Sequence, residues 1–153
     1  MKDEQTNKSE LDLAASMLAG NSRIFSAYNY SYTKQEIEHT KTTGGFLTAI
    51  YTNDLTGMTI DLSYFPSYRD KKRMIIVTIV SREKKDFYLK EWLTTHGRKH
   101  ELDRLINQPD DMNPRNFIEE ALGVLNRLFE GDLRDIVEGR RWEDTPLDWA
   151  GYK

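Results

Sequence analysis

The sequence predicts an α+β fold: an N-terminal helix, an antiparallel meander of about four strands, and C-terminal helices packed on one face of the sheet. Three patterns predict it. Leu11, Ala14, Ala15 and Leu18 recur at the i, i+3, i+4, i+7 spacing of one helix face. Between residues 26 and 80 the period falls to two, or shortens to apolar runs bounded by turn residues. From Asn113 the helical period returns over a wide apolar stripe.

Residues 1–9 are polar and are expected to be flexible, within a single domain spanning 1–153. Glu10 to Ala19 carries the first helix, and Gly20-Asn21 ends it because both residues tolerate the left-handed conformation. In Ser26 to Tyr32 the side chains of Tyr28, Tyr30 and Tyr32 point one way, as on a strand. The conformation of 34–45 stays open apart from a turn signal at Thr42-Thr43-Gly44-Gly45. Phe46 to Thr52 reads as a strand, and Asn53 to Gly57 as a hairpin loop with glycine at its end. Met58 to Phe65 alternates, with Met58, Ile60, Leu62 and Tyr64 inward and Thr59, Asp61 and Ser63 outward. After a loop over 66–72, Met74 to Val80 is almost continuously apolar and reads as a buried central strand.

Over 82–100 the pattern weakens, and Asp86 to Thr95, with Phe87, Tyr88, Leu89, Trp92 and Leu93, suits an edge strand or a helical turn. Leu102, Leu105 and Ile106 predict a short helix that stops before Pro109. Asn113 is a favoured N-cap and Pro114 suits the first helical position, so a helix follows with Phe117, Ile118, Ala121, Leu125, Leu128 and Phe129 on one side. Gly131 ends it. Asp132 to Glu138 forms a second short helix, closed by Gly139. The segment 140–153 is irregular, yet holds Trp142 and Trp149, and is expected to lie against the body or a partner.

Composition narrows the class. The 153 residues are 38% hydrophobic and 11% aromatic, enough to fill one core. The absence of cysteine removes disulfides, thiolate metal sites and cysteine nucleophiles. No secretory apolar region or membrane-length apolar run is present, which predicts a cytoplasmic protein without membrane attachment. The net charge of −3 conceals a gradient. Residues 1–68 sum to −3, residues 69–100 to +6 and residues 101–153 to −6. Such segregation directs partner choice, or else the two ends neutralise one another.

Chemistry is harder to find. His96 and His100 stand four apart, but Gly97 occupies the position where a zinc protease carries glutamate. The adjacent pairs Asp110-Asp111, Glu119-Glu120 and Glu143-Asp144 do not face each other on a helix. There is no nucleophile-elbow motif and no phosphate-binding glycine loop. No catalytic, cofactor or metal residues are therefore predicted, and the chain reads as non-enzymatic. Two basic clusters, Arg69, Lys71, Lys72, Arg73 and Arg82, Lys84, Lys85, flank the apolar strand beside Tyr68, Phe87 and Tyr88. They make nucleic-acid binding through 69–99 the alternative reading. A small-ligand site of unknown specificity, lined by tyrosines 28, 30 and 32, is the third.

The run Tyr51-Thr52-Asn53-Asp54-Leu55-Thr56-Gly57-Met58-Thr59-Ile60, followed by Arg69-Asp70 and an apolar strand, resembles a pattern in small bacterial proteins. The close, Phe129-Glu130-Gly131-Asp132-Leu133 with Ile136, Gly139 and Arg141-Trp142, is similar too. Several such proteins are immunity proteins encoded beside polymorphic or contact-dependent toxins. The likeness covers the last two-thirds of the chain and transfers no functional residue. It implies a small α+β domain that binds and blocks a cognate toxin.

The sequence thus predicts a protein-binding protein acting by occlusion, with aromatic anchors and a charged docking surface. If the target is a nuclease with a basic cleft, the acidic segment Asp103 to Asp144 would imitate phosphate. Its contacts would be Asp110, Asp111, Asp132, Asp135, Glu143 and Asp144, with Trp142 and Trp149. If the basic segment docks instead, Arg69, Lys71, Lys72, Arg73, Lys84 and Lys85 carry the contact.

Overall fold

Strand residues that alternate between buried and partly exposed need cover on one side only, and that arrangement organises the whole chain. A computed structural model describes residues 2–20, 23–40, 44–67, 72–109 and 112–145, with side chains from Lys8 onward. The elements are α1 (Lys2–Gly20), α2 (Arg23–Ser26), β1 (Tyr30–Thr40), β2 (Gly44–Asn53), β3 (Thr59–Phe65), β4 (Met74–Val80) and β5 (Asp86–Tyr88). Four helices follow: α3 (Leu89–Thr95), α4 (Lys99–Ile106), α5 (Pro114–Glu130) and α6 (Arg134–Val137). The five strands lie in chain order, each antiparallel to the next.

This is the expected α+β architecture, with differences that have physical reasons. The meander has five strands rather than about four, because 86–95 supplies both readings, an edge strand at 86–88 and then a helix. The tyrosine alternation begins too early. Residues 23–26 close one helical turn through Ala27 N–H to Arg23 C=O at 3.0 Å, and Asn29 turns the chain with a φ of 71°. Only then does β1 start. The unsettled stretch up to Thr40 belongs to β1 and hides its period because its residues are exposed on both sides. Ile37, 48% exposed, stands in register with Leu47 on the helix side yet beyond the helical cover.

The run Met74–Val80 is a strand with the expected bounds but is buried on one face only. Ile75, Val77 and Ile79 face the core, whereas Met74, Ile76, Thr78 and Val80 stay partly exposed. The Asn113 side chain accepts from Asn116 N–H at 2.8 Å and Pro114 opens α5, as predicted. Residues 140–145 lie against the body: Thr145 Oγ1 accepts the Tyr88 N–H at 2.8 Å. Trp149, by contrast, lies outside the described residues.

Three buried tyrosines tie the sheet to the helical layer by donating to it. Tyr30 Oη donates to Val137 C=O at 2.6 Å, Tyr51 Oη to Leu18 C=O at 2.9 Å, and Tyr64 Oη to Glu10 Oε2 at 2.8 Å. Burial raises the pKa of all three, which keeps them neutral donors. Between these anchors the Phe25 and Tyr51 rings stack at 3.8 Å, and Tyr64 meets Phe117 edge to face.

The Glu10–Arg73 pair is the buried ion pair of this layer. Arg73 Nη2 lies 2.8 Å from Glu10 Oε1, with the two side chains 10% and 8% exposed. Arg73 also donates to Met112 C=O at 2.8 Å and lies over the Phe117 ring. Removing one partner strands a buried charge, so Glu10→Ala is expected to destabilise the fold by about 3–5 kcal/mol in urea titration. The double change Glu10→Ala/Arg73→Met should recover much of that loss. The Asn53–Gly57 loop has a separate keystone: Asn53 accepts from Leu55 N–H at 2.9 Å and Thr56 N–H at 3.1 Å, and donates to Tyr28 C=O at 3.0 Å. Asn53→Ala is expected to cost about 2 kcal/mol and to raise amide exchange at Leu55 and Thr56.

Candidate functional site

The acidic candidates are largely occupied within the chain. Asp132 pairs with Arg98, and Asp135 lies 3.9 Å from Arg140 Nε. Glu143 receives Trp92 Nε1 at 3.2 Å, His96 Nε2 at 3.2 Å and Arg141 Nη1 at 3.4 Å. Asp144 is exposed. Asp110 and Asp111 lie outside the described residues. Trp142 packs edge to face against Phe87 instead of standing free.

The basic candidates do not assemble into one surface either. Arg69 and Lys71 lie outside the described residues. Arg73 is the buried partner of Glu10, and Lys72 donates to Asn107 Oδ1 at 3.3 Å. Lys84 and Lys85 sit in the turn after β4, whose seven residues span about 20 Å. The described members of the two clusters therefore mark opposite ends of the strand. Of the three tyrosines, Tyr30 is fully buried, and Tyr28 and Tyr32 are partly buried against the core.

What the fold does bring together is the sheet face that the helices leave open. Register sets its rows. Glu38, Phe46, Phe65 and Met74 lie across from one another at one end, with the two phenylalanine rings stacked at 4.6 Å. Glu36, Thr48, Ser63 and Ile76 form the next row, where Thr48 and Ser63 hydroxyls bond at 2.8 Å. Lys34, Ile50, Asp61, Thr78 and Tyr88 form the third. Strand residues on this face stay partly exposed along β2, β3 and β4.

Asp61 is the centre of this face, on the middle strand of five. Desolvation holds its carboxyl above the usual range, and the charges of Asp86 and Glu36 push it further the same way. Lys84 and a hydrogen bond with Thr59 offset part of this. Lys34 gives little relief, being paired at 2.7 Å with exposed Glu36. The face is thus anionic, with aromatic and aliphatic side chains at one end. The sequence alternation placed Asp61 outward. It held no signal that Glu36 and Asp86 would converge on it, because that depends on strand order.

Among the described residues no group of three His, Asp or Glu side chains could hold a metal ion, and no helix is long and apolar enough to cross a membrane. No protein-family model, curated protein or solved structure matches the chain.

An acid whose folded pKa is raised opposes folding when ionised. The cost is complete above the folded value, shrinks as pH falls through it, and is gone below the ordinary aspartate value of 3.8. Asp61→Asn is therefore expected to raise the urea midpoint at pH 7, with the gain fading as the pH approaches 3.5.

Proposed function

We propose that the chain is a protein-binding domain that docks the open face of its sheet onto a basic partner surface. The observation that carries this reading is Asp61, a partly desolvated carboxylate at the centre of a face that no described helix covers, pressed by Glu36 and Asp86. Such a group costs stability in the free chain, and a cation from a partner would relieve it. Functional surfaces commonly trade stability in this way. Phe46 and Phe65 supply an aromatic anchor beside it, in keeping with the aromatic enrichment of interface cores.

Charge complementarity selects the occupant. Glu36, Glu38, Asp61 and Asp86 outnumber Lys34 and the nearby Lys84, so the partner presents arginine and lysine around an apolar contact. The resemblance to immunity proteins supplies a partner of that chemistry: a nuclease toxin whose catalytic cleft is basic. Blocking would be occlusion in the cytoplasm, the carboxylates standing where nucleic-acid phosphates would lie. This moves the phosphate-imitating surface from residues 103–144, whose carboxylates largely face the chain's own arginines, to the sheet.

The test begins with the neighbouring gene. Its product, co-expressed with this chain, is expected to form a complex that survives gel filtration and whose association slows with added salt. Asp61→Lys and Glu36→Lys should each weaken that complex at least tenfold while leaving the circular dichroism unchanged. A metabolic enzyme next door that forms no complex, or a complex indifferent to both variants, would overturn the reading.

A further inference from the structure

A second surface, independent of the open face, lies where three connections converge at one end of the sheet. They are the Asn53–Gly57 loop, the Ser81–Lys85 turn and the segment 139–142 that leaves α6. Two glycines let them close together. At Gly57, with φ of 74°, a Cβ would approach Arg82 Cγ to 3.2 Å. At Gly139, with φ of 77°, it would approach Met58 Sδ to 3.2 Å and Thr56 Cγ2 to 3.4 Å. The Ser81–Lys85 turn is itself tied, with Ser81 N–H donating to Lys85 C=O at 2.8 Å and Lys85 N–H to Ser81 Oγ at 2.9 Å.

Between these connections is a cleft of about 550 Å³. Arg82 and Lys85 come from one side and Arg140 and Arg141 from the other, against Glu83 as the one carboxylate of the lining. Arg140 is held by Glu138 and Arg141 lies 3.4 Å from Glu143, so both guanidinium groups are positioned from outside the cleft. Among the described residues, Arg82 and Lys85 have no carboxylate within ion-pair distance. The indole N–H of Trp142, which also lines the cleft, is buried without an acceptor among them.

We propose that this cleft binds a small phosphorylated molecule through a diphosphate group. Arg82 and Lys85 are uncompensated among the described residues, and opposite them stand two guanidinium groups already oriented by Glu138 and Glu143, whose forks match phosphate oxygens. The volume falls within the range of small-ligand cavities, roughly 300–1,000 Å³. A nucleic-acid strand would need cations continuing along its path. Here the turn's Lys84 acts on Asp61, Arg73 and Lys72 lie at the far end of β4 with Arg73 paired to Glu10, and the open sheet face is anionic.

Isothermal titration calorimetry on the full chain tests this with pyrophosphate, ADP, adenosine and a ten-nucleotide single-stranded DNA. Pyrophosphate and ADP are expected to bind once per chain and adenosine not at all. The double variant Arg82→Gln/Lys85→Gln should weaken ADP at least about tenfold, and Arg140→Gln should weaken it independently. Lys72→Gln should change nothing. All four changed residues are exposed, so circular dichroism should stay native throughout. No heat from either phosphate compound at millimolar concentration, or binding untouched by the double variant, overturns the proposal. So does a DNA ten-mer that binds more tightly than ADP, which would assign the cleft to nucleic acid.

Discussion

One-sided cover of the sheet is the constraint on which the rest of this structure depends. Leu47, Ala49 and Tyr51 on β2, Ile60, Leu62 and Tyr64 on β3, and Ile75, Val77 and Ile79 on β4 form a continuous apolar surface. Helices α1 and α5 close it from above, contributing Leu11, Leu18, Phe117, Ile118 and Leu125 among others. Removing these side chains from water drives the packing, but it does not fix where each helix lies. The tyrosine hydroxyls do, since each buried Oη must find an acceptor and the available acceptors are on helices. The Glu10–Arg73 pair acts likewise, joining α1 to the start of β4 through a geometry that tolerates little displacement.

The same constraint creates the uncovered face. Because the pleat alternates, every residue between two core positions is carried to the opposite side, and five strands bring those residues into rows. Asp61, Glu36 and Asp86 are separated by 25 residues or more in sequence order yet meet there. Stability alone gives no reason to gather three carboxylates on a sheet. The proposed docking of a cationic partner would supply one.

Charge segregation along the chain has a double outcome. The basic middle meets the acidic end in places, as Arg98 meets Asp132 and His96 meets Glu143. Other acidic-end carboxylates pair with arginines of their own segment, as Glu120 with Arg104 and Glu138 with Arg134. These pairs are partly exposed and contribute little to stability individually, so their effect is chiefly on which charges remain available. Arg82 and Lys85 remain, at one end of the sheet, and the sheet carboxylates remain on its face. A count of charges by segment shows the imbalance but not which groups survive the mutual neutralisation.

Local patterns were legible in the chain. Burying one face of a strand leaves a period of two, so Met58 to Phe65 and Met74 to Val80 announce themselves, and Asn113-Pro114 announces α5 because capping is a matter of adjacent residues. The segment 33–40 leaves no such trace, since a strand exposed on both sides carries no burial period. Residues 86–95 were ambiguous because three strand residues and seven helical ones share one short apolar window. What the sequence by itself determined is therefore the type of each well-buried element and the face it turns to the core. Tertiary structure alone decided which carboxylates meet around Asp61, which cations meet across the cleft and which charges pair off, because those contacts join residues far apart in the chain, and strand order and helix placement bring them together.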